Sequence, residues 1–383
     1  MKADPGIFTR RQLLKYGAGA GVALYIPWEL GTREAIAAAL TGPTLPGTAI
    51  PKYEQPLIIP PAMPTAPAPS NVGGVEYYEI AVRQFEQQIL PGGLPPTTVW
   101  SYGSAGAPGT VFEGGSFHYP AFTIEAKYAE PVRVKWINDL VDAAGNYLPH
   151  LLPIDQTLHW ANPPGGPQGR DGRGMDPAPY TGPVPIVTHL HGGHATEESD
   201  GFAEAWYLPK AKNIPGGFAR VGSFYQRFRA KAQAALGQAW TPGNALFEYD
   251  NAQRASTLWY HDHTLGMTRN NVYAGPAGFY LLRGGPGDAV SKVGGGEAVL
   301  PGPAPALDDP AGTKYYEIPL AIQDRSFNED GSLFYPDNRA FFEGLNKPFD
   351  TPYLDIPFIP EEACDGEESD ISPIWNPEFF GDA

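Results

Sequence analysis

Glycine and proline constrain this chain more than any other feature, because they make up 46 and 43 of its 383 residues. Proline lacks an amide hydrogen and fixes φ, and glycine loses the most backbone entropy on ordering, so neither supports long helices. A turn-rich, all-β fold is the expectation. Hydrophobic residues at 42% and aromatic residues at 12% provide enough apolar surface to offset the entropy of ordering, which argues against disorder throughout. The length allows two or three domains of roughly 100 to 200 residues each. Against 26 basic residues stand 42 acidic ones, for a net charge of -16. Such a chain repels polyanions, and nucleic acid is excluded as a partner.

Cys364 is the single cysteine, which removes an intramolecular disulfide framework and any cysteine-rich zinc ribbon. No segment offers the roughly 18 consecutive apolar residues of a membrane-spanning helix. At the N-terminus, Thr9-Arg10-Arg11-Gln12-Leu13-Leu14-Lys15 precedes a weakly apolar stretch, Tyr16 to Pro27, and small residues around Ala35 to Ala39. Over residues 1–40 this reads as a twin-arginine export signal, which implies a periplasmic, cell-surface or extracellular destination. The other reading is a basic amphipathic helix. Residues 41–72 are dense in proline and are expected to run extended as a linker without a core of their own.

Regular structure is expected from residue 73. Tyr78, Ile80 and Val82 alternate with Glu79, Ala81 and Arg83, and Val132, Val134 and Trp136 repeat the period of a half-buried strand. Further candidate strands are Phe122 to Ala126, Pro185 to Leu190, Ala245 to Tyr249, Leu258 to His263, Gly278 to Leu282 and Tyr315 to Gln323, separated by turn residues. Short strands between turns argue for a β-sandwich or barrel. Phe218 to Leu236 reads as a helix, with Arg220, Arg227, Arg229 and Lys231 on a solvated face. The expected layout is one complete domain over 73–284, a linker over 285–312 and a second strand-rich segment over 313–383.

Four of the eight histidines fall in two His-x-His pairs, His189-Leu190-His191 and His261-Asp262-His263. Residues i and i+2 of a strand share a face, so each pair presents two imidazoles roughly 7 Å apart, the spacing of a metal clamp. Imidazole suits zinc, copper, iron and nickel alike, so the pairs alone do not choose the metal. Gly192-Gly193 would let backbone pass close beside the site. His194 lies off the parity of the clamp and reads as a turn residue. His118, His150 and His159 carry no spacing signal, and Met267 reads as core.

The segments HLHGG, ESDGFAEAWY, LWYHDHTLGMTRNNVYAGPAGFYLL and IQDRSFNEDGSLFYP resemble the multicopper oxidases, in the bacterial branch that holds spore-coat laccase, bilirubin oxidase and phenoxazinone synthase. The resemblance runs from about Leu94 to Ala383 and matches the N-terminal portion of that family. It implies a cupredoxin-like Greek-key β-sandwich, one domain complete and a second only begun. In the family, a type 1 copper takes single electrons from a phenolic or bilin-like reducing substrate, and a trinuclear type 2/type 3 cluster reduces dioxygen to water. Carried over by position, His189 would bind the type 2 copper, His191, His261 and His263 the type 3 pair, and Asp200 would feed protons to the cluster.

The chain departs from that family pattern at the type 1 site. A type 1 copper needs a His-Cys-His segment with a further His and usually an axial Met. Cys364 lies in Glu361-Glu362-Ala363-Cys364-Asp365-Gly366-Glu367-Glu368 with no histidine nearby. A truncated chain carrying half of the trinuclear site, nearly inactive without a complementing C-terminal fragment, is therefore expected. A non-catalytic copper-binding or assembly subunit of a split oxidase is the rival reading, and a zinc-binding β-sandwich is a more distant one.

Overall fold

Tyr78, Ile80 and Val82 are buried along the twelve-residue strand Glu76–Gln87 (β1), as their alternation requires. The computed structural model describes residues 44–335 except 58, 70–72, 156–157, 175–178, 287–289, 292–296, 299–308 and 311. The export segment 1–40, Cys364 and the chain from 336 onward lie outside the described residues. After β1 come Thr97–Ser104 (β2), Ala121–Lys127 (β3), Val132–Asn138 (β4), Thr188–His191 (β5), Asn244–Tyr249 (β6), Ser256–Asp262 (β7) and Ala277–Arg283 (β8). They form two four-stranded sheets, ordered β2-β1-β4-β6 and β3-β8-β7-β5.

The fold is an all-β, cupredoxin-like sandwich with Greek-key crossovers. From β2 to β7 each successive strand lies in the opposite sheet, and the pairs β1/β4 and β3/β8 are consequently parallel while their neighbours are antiparallel. Between the layers, the Tyr102 ring meets Trp136 at 5.3 Å and Tyr260 at 5.1 Å, both edge to face. Each such contact contributes about 0.5–1.5 kcal/mol beyond its area burial. Their polar ends are also satisfied: Tyr102 shares a hydrogen bond of 3.0 Å with the Thr188 hydroxyl, and the Tyr260 hydroxyl donates to the Phe122 carbonyl at 2.5 Å.

Several local expectations change. Strand β2, Thr-Thr-Val-Trp-Ser-Tyr-Gly-Ser, shows no alternation because nearly all of it is buried, with Thr97, Ser101 and Ser104 inside. The expected strand Pro185 to Leu190 narrows to Thr188–His191, joined by an isolated bridge at Ile186. The helix expected over 218–236 begins only at Tyr225 (α1, Tyr225–Leu236), because the preceding chain turns at Gly222 against the Glu204 carbonyl, where a Cβ would overlap. On α1, Arg227 pairs with Glu197 at 3.2 Å and Lys231 contacts the same carboxylate, so this face is not solely solvated. Tyr315 to Gln323 forms no strand, since no described backbone pairs with it.

The proline-rich segment is not a free linker. The Met63 N–H donates to Thr123 O at 2.7 Å and the Thr123 N–H to Pro61 O at 2.8 Å, so the segment covers the open edge of β3 and buries Met63. Residues 309–335 also dock on the sandwich. Arg283 pairs with Glu125 and Glu317, each at 2.5 Å, and the Tyr119 hydroxyl donates to Gln323. A small hairpin, Ser326–Phe327 with Leu333–Phe334, follows.

Candidate metal centre

Strands β5 and β7 are antiparallel neighbours in which His189 stands opposite His261 and His191 opposite Trp259. Directly opposed residues share a face, as do residues i and i+2, so these four side chains stand on one side of the sheet. His263 follows β7 by one residue. Its N–H donates to the Val187 carbonyl at 2.7 Å, which holds it beside β5. Ring centres lie 4.8 Å apart for His189–His263, 5.4 Å for His191–His261, 5.6 Å for His189–His261, 5.7 Å for His189–His191 and 6.0 Å for His261–His263. Both His-x-His pairs converge more closely than the roughly 7 Å of an ideal strand.

Hydrogen bonds define the proton positions. A carbonyl oxygen only accepts, so His189 Nδ1–H donates to Asp200 O at 2.5 Å and His261 Nδ1–H to Asp262 O at 2.7 Å. Both therefore carry their lone pair on Nε2. His261 Nε2 accepts from His191 Nδ1–H at 3.2 Å, which leaves His191 Nε2 as a lone-pair nitrogen. His263 Nδ1 is buried with no hydrogen-bond partner. Burial, with a smaller contribution from neighbouring imidazoles, pushes His261 down to about 4 and also lowers His263.

This donor set fits a metal that prefers imidazole. Burial favours the neutral form of His261 and His263, the hydrogen bonds leave a lone pair on Nε2 of His189 and of His191, and the buried His263 Nδ1 is an orphan that coordination would satisfy. Among the described residues, however, no three His, Cys, Asp or Glu side chains are arranged to hold a metal ion by themselves. The face supplies ligands without closing a coordination sphere.

Asp200 sits beside the cluster, but its nearest contact is the main-chain carbonyl. Its carboxylate lies 3.5 Å from His189 Nδ1 and is 42% exposed. Gly201 follows at φ 80°, and a Cβ there would overlap the Thr188 carbonyl, so glycine lets this turn lie flat on β5. By contrast, Gly192 and Gly193 pack toward Leu258 and Leu190, on the other face from the imidazoles, and serve the turn rather than the site. His194 is exposed in the loop just past the turn at Gly192, and Met267 is core. His118 is held by a hydrogen bond to Pro120 O, and His150 by one to Asn271 Oδ1, whose amide in turn donates to Asp262 between the two imidazoles of β7.

Two residues went unnoticed in the sequence. Trp259 stacks on His191 at 5.2 Å and on His261 at 4.0 Å. Asp262, fully buried on the opposite face, accepts from Thr264 N–H, the Thr264 hydroxyl, Asn271 Nδ2 and Val187 N–H at 2.9–3.2 Å. Burial pushes its carboxyl up to about 7 against the pull of those donors. The parity of the strand was the available signal: Trp259 shares the imidazole face, and Asp262 between two histidines must point inward.

No family model matches the chain. Curated relatives do. A laccase from Bacillus stratosphericus is 35% identical over 284 residues, 74% of this chain and 39% of that protein. A laccase from Bacillus subtilis (strain 168) is 33% identical over 68% of this chain and 36% of its own length. A laccase from Haloferax volcanii is 34% identical over 86% and 42%. Among solved structures, a multi-copper oxidase from Pediococcus acidilactici overlaps 61% of this chain and 30% of its own at 16% identity, with a TM-score of 0.34. The chain belongs to the multicopper oxidase family. It spans about two fifths of the length of the laccases it matches.

Proposed function

We propose that this chain contributes four imidazoles to a copper-dependent oxidoreductase of the laccase type, which couples one-electron oxidation of phenolic or bilin-like substrates to reduction of dioxygen to water. The observation that carries this reading is the convergence of His189, His191, His261 and His263 on one sheet face, with adjacent ring centres 4.8–6.0 Å apart. In the family arrangement His189 serves the type 2 ion and the other three serve the type 3 pair. Bound copper supplies the single-electron steps between reductant and dioxygen.

The chain's own residues bind, orient and handle protons. The Asp200 and Asp262 carbonyls hold His189 and His261 as Nδ1–H tautomers. Stacking of Trp259 limits rotation of the His191 and His261 rings. Reduction of dioxygen consumes protons, and the part-exposed Asp200 carboxylate can pass them from water to the neighbourhood of His189.

In this reading the type 1 centre and the remaining imidazoles are supplied from outside these 383 residues, whose sequence carries no His-Cys-His segment. Residues 73–284 form the ligand-bearing domain, 285–312 a linker and 313–383 the opening of a second domain. The Thr9–Lys15 motif supports export by the twin-arginine route, and no described helix is long and apolar enough to cross a membrane. The rival reading, a non-catalytic copper-binding or assembly subunit, is favoured by the open donor set. Oxygen uptake with a phenolic substrate separates the two. The chain alone is expected to be nearly inactive, with turnover restored by the complementing fragment and abolished again by His191→Ala. Complemented complexes that bind copper but consume no oxygen would support the subunit reading, and robust uptake by the isolated chain would overturn the need for a complementing region.

A further inference from the structure

Asn271 joins the two chain segments that carry the His-x-His pairs. It is fully buried in the short helix Thr268–Ala274, and its amide nitrogen donates to Asp262 Oδ1 at 2.9 Å and to Pro185 O at 3.1 Å. Pro185 leads into β5 and Asp262 ends β7, so one side chain ties both ligand-bearing strands at the end where the His189 and His263 rings lie 4.8 Å apart. Asp262 passes this restraint on. Its carboxylate accepts from Val187 N–H at 3.2 Å, from Thr264 N–H at 3.0 Å and from the Thr264 hydroxyl at 2.9 Å. The bond to Thr264 N–H closes an Asx turn around His263, whose own N–H is held by Val187 O at 2.7 Å. His263 lies beyond the β5–β7 ladder, so this turn, rather than the ladder, sets where its ring points.

The Asn271 amide can bridge the two segments in one orientation only. His150 Nδ1 accepts from Leu152 N–H at 2.8 Å, which puts the ring proton on Nε2, and Nε2–H donates to Asn271 Oδ1 at 2.8 Å. A turned amide would set its oxygen against the Asp262 carboxylate and the Pro185 carbonyl, and its NH2 group against the His150 N–H. The His150 ring is itself fixed by an edge-on contact with Trp100, ring centres 4.6 Å apart. A continuous chain of hydrogen bonds therefore runs from Leu152 through His150 and Asn271 to the residue between His261 and His263.

We propose that Asn271, oriented by His150, is a positioning residue for the imidazole cluster: acting through Asp262, it fixes the separation of the His189 and His263 rings and raises the copper affinity of the face. The inference rests on the copper reading above, and two readouts keep the two apart. One is the imidazole nitrogen resonances of the copper-free full chain carrying labelled histidine, assigned with His189→Ala and His263→Ala. The other is Cu(II) affinity, measured by competition with a chelator. Asn271→Ser should shift the His263 resonances and weaken Cu(II) binding by about tenfold or more. His150→Leu, which fills the space without a donor, should do both to a smaller degree, and it carries the test independently of whether serine at 271 folds. His150→Gln keeps a donor to Asn271 and should stay close to the wild type. Tyr225→Phe is the control for stability alone: it removes hydroxyl bonds to the Thr241 and Asn244 carbonyls outside this network and should leave both readouts unchanged. Wild-type resonances and Cu(II) affinity in His150→Leu and in Asn271→Ser, or losses as large in Tyr225→Phe, would overturn the proposal. A wild-type chain that takes up no Cu(II) would count against the copper reading, and unshifted His263 resonances in the two variants would then overturn the positioning role by themselves.

Discussion

His150 illustrates how single residues set the response of this fold to pH. Its Nδ1 accepts from Leu152 N–H at 2.8 Å and its Nε2–H donates to Asn271 at 2.8 Å, so the neutral ring is the form the fold accommodates. Burial pushes it down to about 4 from an ordinary 6.5. The unfolded chain therefore binds a proton more readily between those values. The contribution of His150 is fully present above pH 6.5 and is lost as pH falls toward 4, at most roughly 3 kcal/mol. Denaturant titrations at stepped pH should show this loss, and His150→Asn should flatten the slope; an unchanged slope would contradict the assignment. Asp262 is a second case. Asp262→Ala removes the acceptor of four buried hydrogen bonds and leaves the Val187 and Thr264 N–H groups unmet, and a loss of roughly 2–4 kcal/mol is expected in urea unfolding. A change under about 0.5 kcal/mol would show that those donors find other partners.

At the scale of elements, the strands that carry the site were readable because one face of each is buried and the period shows through. β1 and β4 lie where their alternation placed them, although Ala81 and Arg133 are buried as well, while β6, β7 and β8 were marked by short apolar runs between turn residues. β2 did not, because a strand buried on both faces and built partly from Thr and Ser has no polar phase to mark its period. The stretch Tyr315 to Gln323 failed in the opposite way. It has the alternation of a strand, with Tyr316, Ile318, Leu320 and Ile322 on one side, yet all four are exposed, and alternation without a pairing neighbour makes no ladder. Arg283 anchors this stretch through Glu317 while also pairing with Glu125. Arg283→Gln should release it, and limited proteolysis should then cleave within residues 314–325 several times faster than in the wild type, with β1–β8 still protected. Equal cleavage rates would show that Gln323 and Arg325 hold the stretch without the ion pair.

For the whole molecule, two sheets packed through Tyr102, Trp136 and Tyr260 hold β5 and β7 side by side, and this pairing turns two separate His-x-His signals into one face. The two pairs and their shared parity were legible in the sequence. Their register was not, because it depends on the β5–β7 pairing across about 70 residues, and neither were the Asp200 carbonyl and the Trp259 stack. The central claim is that these four imidazoles bind copper as a group, and it is tested most directly by copper content and electron paramagnetic resonance of the full chain titrated with Cu(II). Bound copper should show imidazole nitrogen hyperfine structure without the intense blue absorption of a thiolate centre. His263→Ala should lower the bound copper, as should His191→Ala, whose exposed ring is not needed for folding. Full copper content with an unchanged spectrum in both variants, or a strong blue band from the wild-type chain, would contradict the account.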